Sequence, residues 1–130
     1  MNKYAISAEQ APAAIGPYSH AVVAGNLIFT SGQLPIDPAG GDLIGQSVAE
    51  QTAQCLKNLA VVLEAGGSSL EKVVKTLVFL VDMADFTAMN EVYAAFFAGV
   101  FPARSCVAVK DLPRGAKVEI EAVAICEPVK

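Results

Sequence analysis

An arginine and a cysteine stand two residues apart in Arg104-Ser105-Cys106, within a stretch that predicts a strand from Arg104 to Val109. Because alternate residues of a strand face the same side, Arg104 and Cys106 project together while Ser105 points away. The planar guanidinium of arginine donates two parallel hydrogen bonds and is the preferred group for holding a carboxylate. A surface arginine in a weak ion pair is the more common source of this pattern, so both interpretations stay open. Cys106 is more simply a buried inert thiol than a nucleophile, because only Arg104 is near enough in sequence to activate it.

Two glutamates, Glu119 and Glu121, share one face of a second predicted strand from Lys117 to Ile125. The turn residues between Pro113 and Gly115 predict that this strand is an antiparallel neighbour of the Arg104 strand. A carboxylate near the guanidinium can then position a water molecule. The alternative is that both glutamates are solvated strand residues.

Polar and flexible residues also occur where two strands begin and end. Tyr18 follows Gly16-Pro17 at the start of a predicted strand, where its ring can close a pocket or pack in a core. Ser31 and Gly32 follow Thr30 at a strand end, where a ligand can approach the backbone. An ordinary strand end has the same composition.

Several kinds of site are excluded by composition. His20 is the only histidine, which excludes a histidine-rich metal site and any catalytic triad that does not use His20. The three cysteines have no zinc-binding spacing, and no glycine-rich phosphate loop is present. The sequence therefore predicts neither a metal nor a cofactor. The net charge of −4 disfavours nucleic acid as a partner.

The compartment follows from similar observations. Apolar runs are too short for a membrane-spanning helix, and the N-terminus lacks the apolar stretch of a signal peptide. An odd number of cysteines favours reduced thiols. We therefore expect a cytoplasmic protein with no membrane partner.

The elements that must position these residues follow the order β-β-α-β-α-β-β in one domain of residues 1–130, with a further short strand possible at Tyr4 to Ser7. Ser47 and Glu50 have capping-box spacing for a helix to about Ala65, and Asp85 is a candidate cap for a helix to about Ala98. The first helix has a predicted buried stripe formed by Ala49, Ala53, Leu56, Leu59, Ala60 and Leu63. The other predicted strands cover Tyr18 to Ala24, Leu27 to Ser31 and Val73 to Val81.

This order predicts an α+β fold, a mixed β-sheet with two helices packed on one face. Two helices cover one face only, and 54% of the residues are hydrophobic, so the second face also carries apolar side chains. Burial of that face between subunits is the simplest way to remove it from water.

Five motifs resemble those of the RidA (YjgF-like) family, and the resemblance runs from about residue 6 to residue 125. They are Gly16-Pro17-Tyr18-Ser19, Thr30-Ser31-Gly32-Gln33, Lys75-Thr76, Pro102-Ala103-Arg104-Ser105-Cys106-Val107 and Val118-Glu119-Ile120-Glu121-Ala122. The resemblance implies a chorismate-mutase-like fold and a homotrimer with sites between subunits. It also implies hydrolysis of 2-iminobutanoate and 2-iminopropanoate to 2-ketoacids and ammonia, with no cofactor.

The resemblance assigns roles residue by residue. Arg104 would hold the substrate carboxylate, and Glu119 would orient or activate the attacking water. The remaining substrate-binding positions would be Tyr18, Ser31, Gly32, Asn90 and the backbone around Cys106. His20 departs from the family pattern, where glutamine is common, and its effect on the pocket edge or pH response stays open. The alternatives are an endoribonuclease or translation inhibitor, and a non-enzymatic ketoacid sensor or chaperone of the same fold.

Overall fold

The computed structural model describes residues 2–127, which form one mixed six-stranded sheet with two α-helices. The spatial order of the strands is β1-β2-β3-β6-β4-β5. All neighbours are antiparallel except β4 and β5, which are parallel. The strands are β1 (Lys3–Ile6), β2 (Ala21–Ala24), β3 (Leu27–Thr30), β4 (Val73–Leu80), β5 (Ala103–Ala108) and β6 (Val118–Ile125). The α+β prediction is confirmed.

The first helix, α1 (Val48–Ala65), begins as its capping box predicts. The Ser47 hydroxyl accepts a hydrogen bond from the backbone N–H of Glu50, and the Glu50 carboxylate accepts one from the backbone N–H of Ser47. The predicted buried stripe is only partly right, because its three alanines are not fully buried. Three polar side chains are buried on α1 instead, those of Gln51, Thr52 and Asn58.

The second helix, α2 (Phe86–Phe96), differs from its prediction at both ends. Asp85 makes no side-chain capping bond, so that prediction is wrong. Asp82 accepts a bond from the N–H of Ala84 instead, and so caps the 3₁₀ turn that precedes α2. The helix stops at Phe96 rather than Ala98 because Phe97 adopts an extended backbone, which brings its ring into the core.

The predicted pairing of the Arg104 strand with the Glu119 strand is wrong. Strand β5 pairs with β4 alone and forms an edge of the sheet, whereas β6 lies between β3 and β4. Helix α2 connects β4 to β5 as a parallel crossover, which places β5 beside β4. The nine residues between β5 and β6 are enough for the chain to cross β4, so the turn near Pro113 is not a tight hairpin.

Both helices cover the same face of the sheet. The Thr76 hydroxyl of β4 lies 2.7 Å from the Tyr93 hydroxyl of α2, and the Cys55 thiol of α1 contacts the Val118 carbonyl of β6. The opposite face, called the open face below, carries apolar side chains such as Phe29, which is 44% exposed. Its large apolar members are Val22, Leu27, Phe29, Leu77, Phe79, Val107, Val123 and Ile125, and its charged members include Glu119, Glu121 and Lys75.

Candidate active site

The guanidinium of Arg104 is held in a fixed position between β5 and α2. Its Nη1 donates a 2.7 Å hydrogen bond to Asn90 Oδ1, and the same nitrogen lies 4.0 Å from the Met89 sulfur. The charged carbon Cζ lies 4.9 Å from the centre of the Tyr93 ring and 5.5 Å from that of Phe86. Cation–π contacts of this kind orient the plane of the guanidinium as well as stabilising its charge.

One edge of this guanidinium is available to a ligand. Within residues 2–127, its hydrogen bonds to protein use Nη1 only, which leaves Nη2 and Nε without a protein acceptor. Those two donors form the fork that binds both oxygens of a carboxylate. Arg104 lines a cavity of about 390 Å³, together with residues that include Asn90, Tyr93, Phe101 and Pro102. Arg104 and Asn90, predicted together, therefore lie together.

Cys106 lies next to Arg104 on the same side of β5 but is a poor nucleophile. Burial raises the pKa of the Cys106 thiol above its ordinary value of 9.0, and the positive charge of Arg104 opposes this shift only partly. The thiol therefore stays protonated at neutral pH, and a thiol is a much weaker nucleophile than a thiolate. The thiol is partly buried rather than fully buried as the sequence suggested, and its inertness toward substrate stays a prediction.

A second cavity, called the Glu119 cleft below, contains the other predicted residues. It has a volume of about 510 Å³, and its walls include Tyr18, Ser31, Gly32 and Glu119. The Ser31 hydroxyl donates a 2.6 Å hydrogen bond to the Ser19 carbonyl, which fixes the strand end against the loop that carries Tyr18. Tyr18 is half exposed at the mouth of the cleft. Four residues from three separate sequence motifs thus converge on one cavity.

Gly32 is required for the position of the Glu119 side chain. A β-carbon at residue 32 would lie 2.7 Å from Glu119 Cδ and 2.9 Å from Glu119 Oε2, too close for any real side chain. The carboxyl group therefore lies against bare backbone. Glycine is needed here for this close approach rather than for an unusual backbone angle.

The environment of Glu119 favours its protonated form. Burial raises the pKa of the Glu119 carboxyl above its ordinary value of 4.5, and the negative charge of Glu121 on the same strand face raises it further. Since the folded-state pKa is raised, this group contributes stability below pH 4.5 that is lost as the pH rises through the folded-state value. A carboxyl shifted in this direction is better matched to proton transfer near neutral pH.

Arg104 and Glu119 point to opposite faces of the sheet within one chain. Arg104 pairs with Thr76, and Thr76 pairs with Ala122, so all three face the helices. Glu119 pairs with Phe79 on the open face, three residues further along β4. Directly paired residues share a face, and neighbouring residues of a strand alternate. The two predicted catalytic residues are therefore not brought together by one copy of this chain.

His20 does not line the Glu119 cleft but lines another cavity, together with residues such as Ala8 and Ser19. Its Nδ1 accepts a 2.9 Å hydrogen bond from the Ala8 N–H, and its Nε2 lies 2.8 Å from the Pro12 carbonyl. These two contacts require a neutral imidazole with its proton on Nε2, because Nδ1 acts as an acceptor. His20 thus ties residues 8–12 to the start of β2.

Two residues near the sites were not predicted. Tyr93 orients Arg104, and none of the five motifs contains Tyr93. Arg114 lines the Glu119 cleft and has a positive φ of 64°, which is uncommon for a residue other than glycine. No sequence pattern indicates that backbone conformation.

Among the residues that the structure describes, no cluster of His, Cys, Asp or Glu is suited to a metal ion, and no helix is long and apolar enough to span a membrane.

Comparison with known proteins identifies the family. The model of the family described as Endoribonuclease L-PSP matches residues 8–126. The chain belongs to this family, the RidA family. The match covers every residue of both candidate sites, from Tyr18 to Glu119.

Individual RidA relatives agree over nearly the whole chain. A Sinorhizobium fredii protein named RutC family protein y4sK is 55% identical over 118 residues, which are 91% of this chain and 94% of the relative. The mouse protein named 2-iminobutanoate/2-iminopropanoate deaminase is 50% identical over 123 residues, 95% of this chain and 91% of the relative. The crystal structure of E. coli TdcF with bound serine is 39% identical with a TM-score of 0.90, covering 95% of this chain and 99% of TdcF.

Proposed function

We propose that this RidA protein is a hydrolytic deaminase that converts 2-iminobutanoate and 2-iminopropanoate to 2-ketoacids and ammonia without a cofactor. The observation that carries the proposal is the guanidinium of Arg104, which Asn90 and Tyr93 fix at a cavity and whose Nη2 and Nε have no protein acceptor within residues 2–127. Every 2-iminoacid has an α-carboxylate beside its C=N carbon, and a bidentate arginine holds that carboxylate in one orientation. The name of the mouse relative and the serine bound to E. coli TdcF, which also has an α-carboxylate, support the same assignment.

Glu119 is proposed as the group that handles protons. Its carboxylate accepts a proton from water as the water oxygen bonds to the imine carbon, and the C=N electron pair moves to nitrogen. The same carboxyl then returns that proton to nitrogen, which gives a carbinolamine. The carboxylate next takes the proton of the carbinolamine hydroxyl and passes it to the amino nitrogen, so that the C–N bond breaks and ammonia leaves as the C=O bond forms. A carboxyl with a raised pKa suits both transfers, since it must accept and release a proton twice in each turnover.

The complete site is proposed to form between subunits of a homotrimer. Within one chain Arg104 and Glu119 face opposite sides of the sheet, so they can act on one substrate only if two copies contribute. The exposed apolar side chains of the open face provide a surface for such contacts. We also propose that the chain is a single domain and that it acts in the cytoplasm, where its three free cysteines stay reduced.

A coupled assay tests this function. A pyridoxal-phosphate-dependent serine or threonine dehydratase releases the imine, and ketoacid formation is followed with and without the protein. We expect faster ketoacid release with wild type, and loss of that acceleration with Glu119→Gln while ketoacid binding is retained. Acceleration by Glu119→Gln equal to wild type would assign the proton transfer to another group, and Glu121 would be tested next.

The same purified protein can be used to test two alternative functions, RNA cleavage and ketoacid sensing. RNA cleavage is suggested by the family description, but only 9 Lys and Arg residues oppose 13 Asp and Glu residues, and phosphate binding depends on positive charge. RNA binding that disappears at modest salt would be non-specific. Tight ketoacid binding with no activity on imines would instead indicate a sensor.

A further inference from the structure

A buried amide on α1 holds the wall of the Glu119 cleft. Asn58 is 1% exposed, and its Nδ2 donates two hydrogen bonds of 2.9 Å, one to the carbonyl of Leu34 and one to that of Ile36. Its Oδ1 accepts a 2.9 Å bond from Gln54, which fixes the orientation of the amide. Leu34 and Ile36 both line the cleft. One side chain therefore sets the position of two neighbouring wall residues.

The segment that carries this wall, residues 33–44, is also attached to the rest of the protein at its beginning and at its tip. Gln33 and Ile120 exchange backbone hydrogen bonds of 2.8 and 3.1 Å, which attach the beginning of the segment to β6. Arg114 donates a 2.9 Å bond to the carbonyl of Gly41 at the tip of the segment. With Asn58 between these two attachments, the wall is formed before any ligand arrives.

We propose that Leu34 and Ile36 form the subsite for an apolar substrate side chain, and that Asn58 is the positioning residue that sets its width. Apolar groups dominate the cleft walls, and among residues 2–127 the charged members of these walls are Glu119 and Arg114. A cleft of about 510 Å³ has room for more than a methyl or ethyl group. The inference rests on the proposed deaminase function and adds the residues that form the side-chain subsite and set its width.

The test compares one variant on α1 with a matched control on the same helix. Asn58→Leu keeps the shape of the side chain but removes both donors to the wall. Gln51→Met is the control, because Gln51 is 2% exposed and bonds to the backbone of Gly45 and Lys117, neither of which lines the cleft. Imines of leucine and of alanine are generated in place by an amino-acid oxidase, and kcat/KM is measured for each.

We expect Asn58→Leu to lower the ratio of the leucine-imine kcat/KM to the alanine-imine kcat/KM about tenfold, mainly through KM, because apolar pockets discriminate by about that much per methylene. Gln51→Met should leave the ratio unchanged even where it lowers stability. Ile36 is partly buried and lies outside the core, so Ile36→Ala should fold. It should lower the same ratio, and it provides the test if Asn58→Leu does not fold.

Failure of the inference differs from failure of the proposed function. An unchanged ratio in both Asn58→Leu and Ile36→Ala, or an equal change in Gln51→Met, overturns the inference while imine hydrolysis by wild type still stands. No hydrolysis of either imine by wild type overturns the proposed function and the inference together.

Discussion

Replacing Gly32 by alanine should move the Glu119 carboxyl without disturbing Arg104. The added β-carbon would lie 2.7 Å from Glu119 Cδ and 2.9 Å from Oε2. Carbon atoms in ordinary contact are about 3.5–4.0 Å apart, so the carboxyl must withdraw by about 1 Å. The atoms that clash are the far end of a flexible side chain, so the fold can accommodate the change at little cost.

A shift of this size should be costly for turnover. Misplacement of a reacting group by about 1 Å lowers rates on the order of 100-fold, because the near-attack geometry is lost. We therefore expect Gly32→Ala to lower kcat for imine hydrolysis about 100-fold in the coupled assay. Ketoacid affinity, measured by calorimetry, should change less than about threefold because the Arg104 fork is unaltered.

Gly40→Ala provides the control for this experiment. A β-carbon at Gly40 meets its nearest atom, Asp37 Oδ2, at 3.4 Å, which is an ordinary contact. That variant should keep wild-type turnover and gain about 0.4–1 kcal/mol of stability from reduced freedom of the unfolded chain. Wild-type turnover by Gly32→Ala, with the protein folded, would refute the role of the Glu119 carboxyl position.

Three further outcomes are expected. Arg104→Lys and Arg104→Ala should each lower kcat/KM about 30- to 4000-fold, as loss of a buried charge-assisted pair does, with circular dichroism unchanged. Cys106→Ala should keep most activity, and an adduct on Cys106 in intact mass spectra during turnover would overturn the hydrolytic mechanism. Because burial and Glu121 both raise the pKa of Glu119, activity should fall with decreasing pH at values above 4.5. Glu121→Gln should move this fall to lower pH. A pH–activity profile that does not move would show that Glu121 does not raise the pKa of Glu119.

Local signals predicted most of the fold. The capping box at Ser47 and Glu50 placed the start of α1. The two-residue gap between the predicted strands Tyr18 to Ala24 and Leu27 to Ser31 placed the β2–β3 hairpin, because both signals depend on a few neighbouring residues. The order of the strands was not predictable in the same way. Whether β6 pairs with β5 or with β4 depends on long-range packing, and the turn near Pro113 carries no information about it.

The candidate site, like the fold, was predictable from the sequence only in part. Motifs placed Tyr18, Gly32 and Glu119, and the structure gathers them in one cleft. No sequence signal indicated that Arg104 and Glu119 face opposite sides of the sheet, because alternation within β5 does not determine its orientation relative to β6, two strands away. Asn58 was also missed, since a polar residue in a helix does not reveal which carbonyls it reaches.

Mixing two inactive variants tests most directly whether Arg104 and Glu119 act from different subunits. Arg104→Ala and Glu119→Gln are expressed together, and each is inactive alone. If each site takes Arg104 from one subunit and Glu119 from its neighbour, random trimers restore about a quarter of the sites, and imine hydrolysis recovers to about that share of wild type. No recovery, in co-expressed trimers shown by mass spectrometry to contain both chains, would contradict a site shared between subunits.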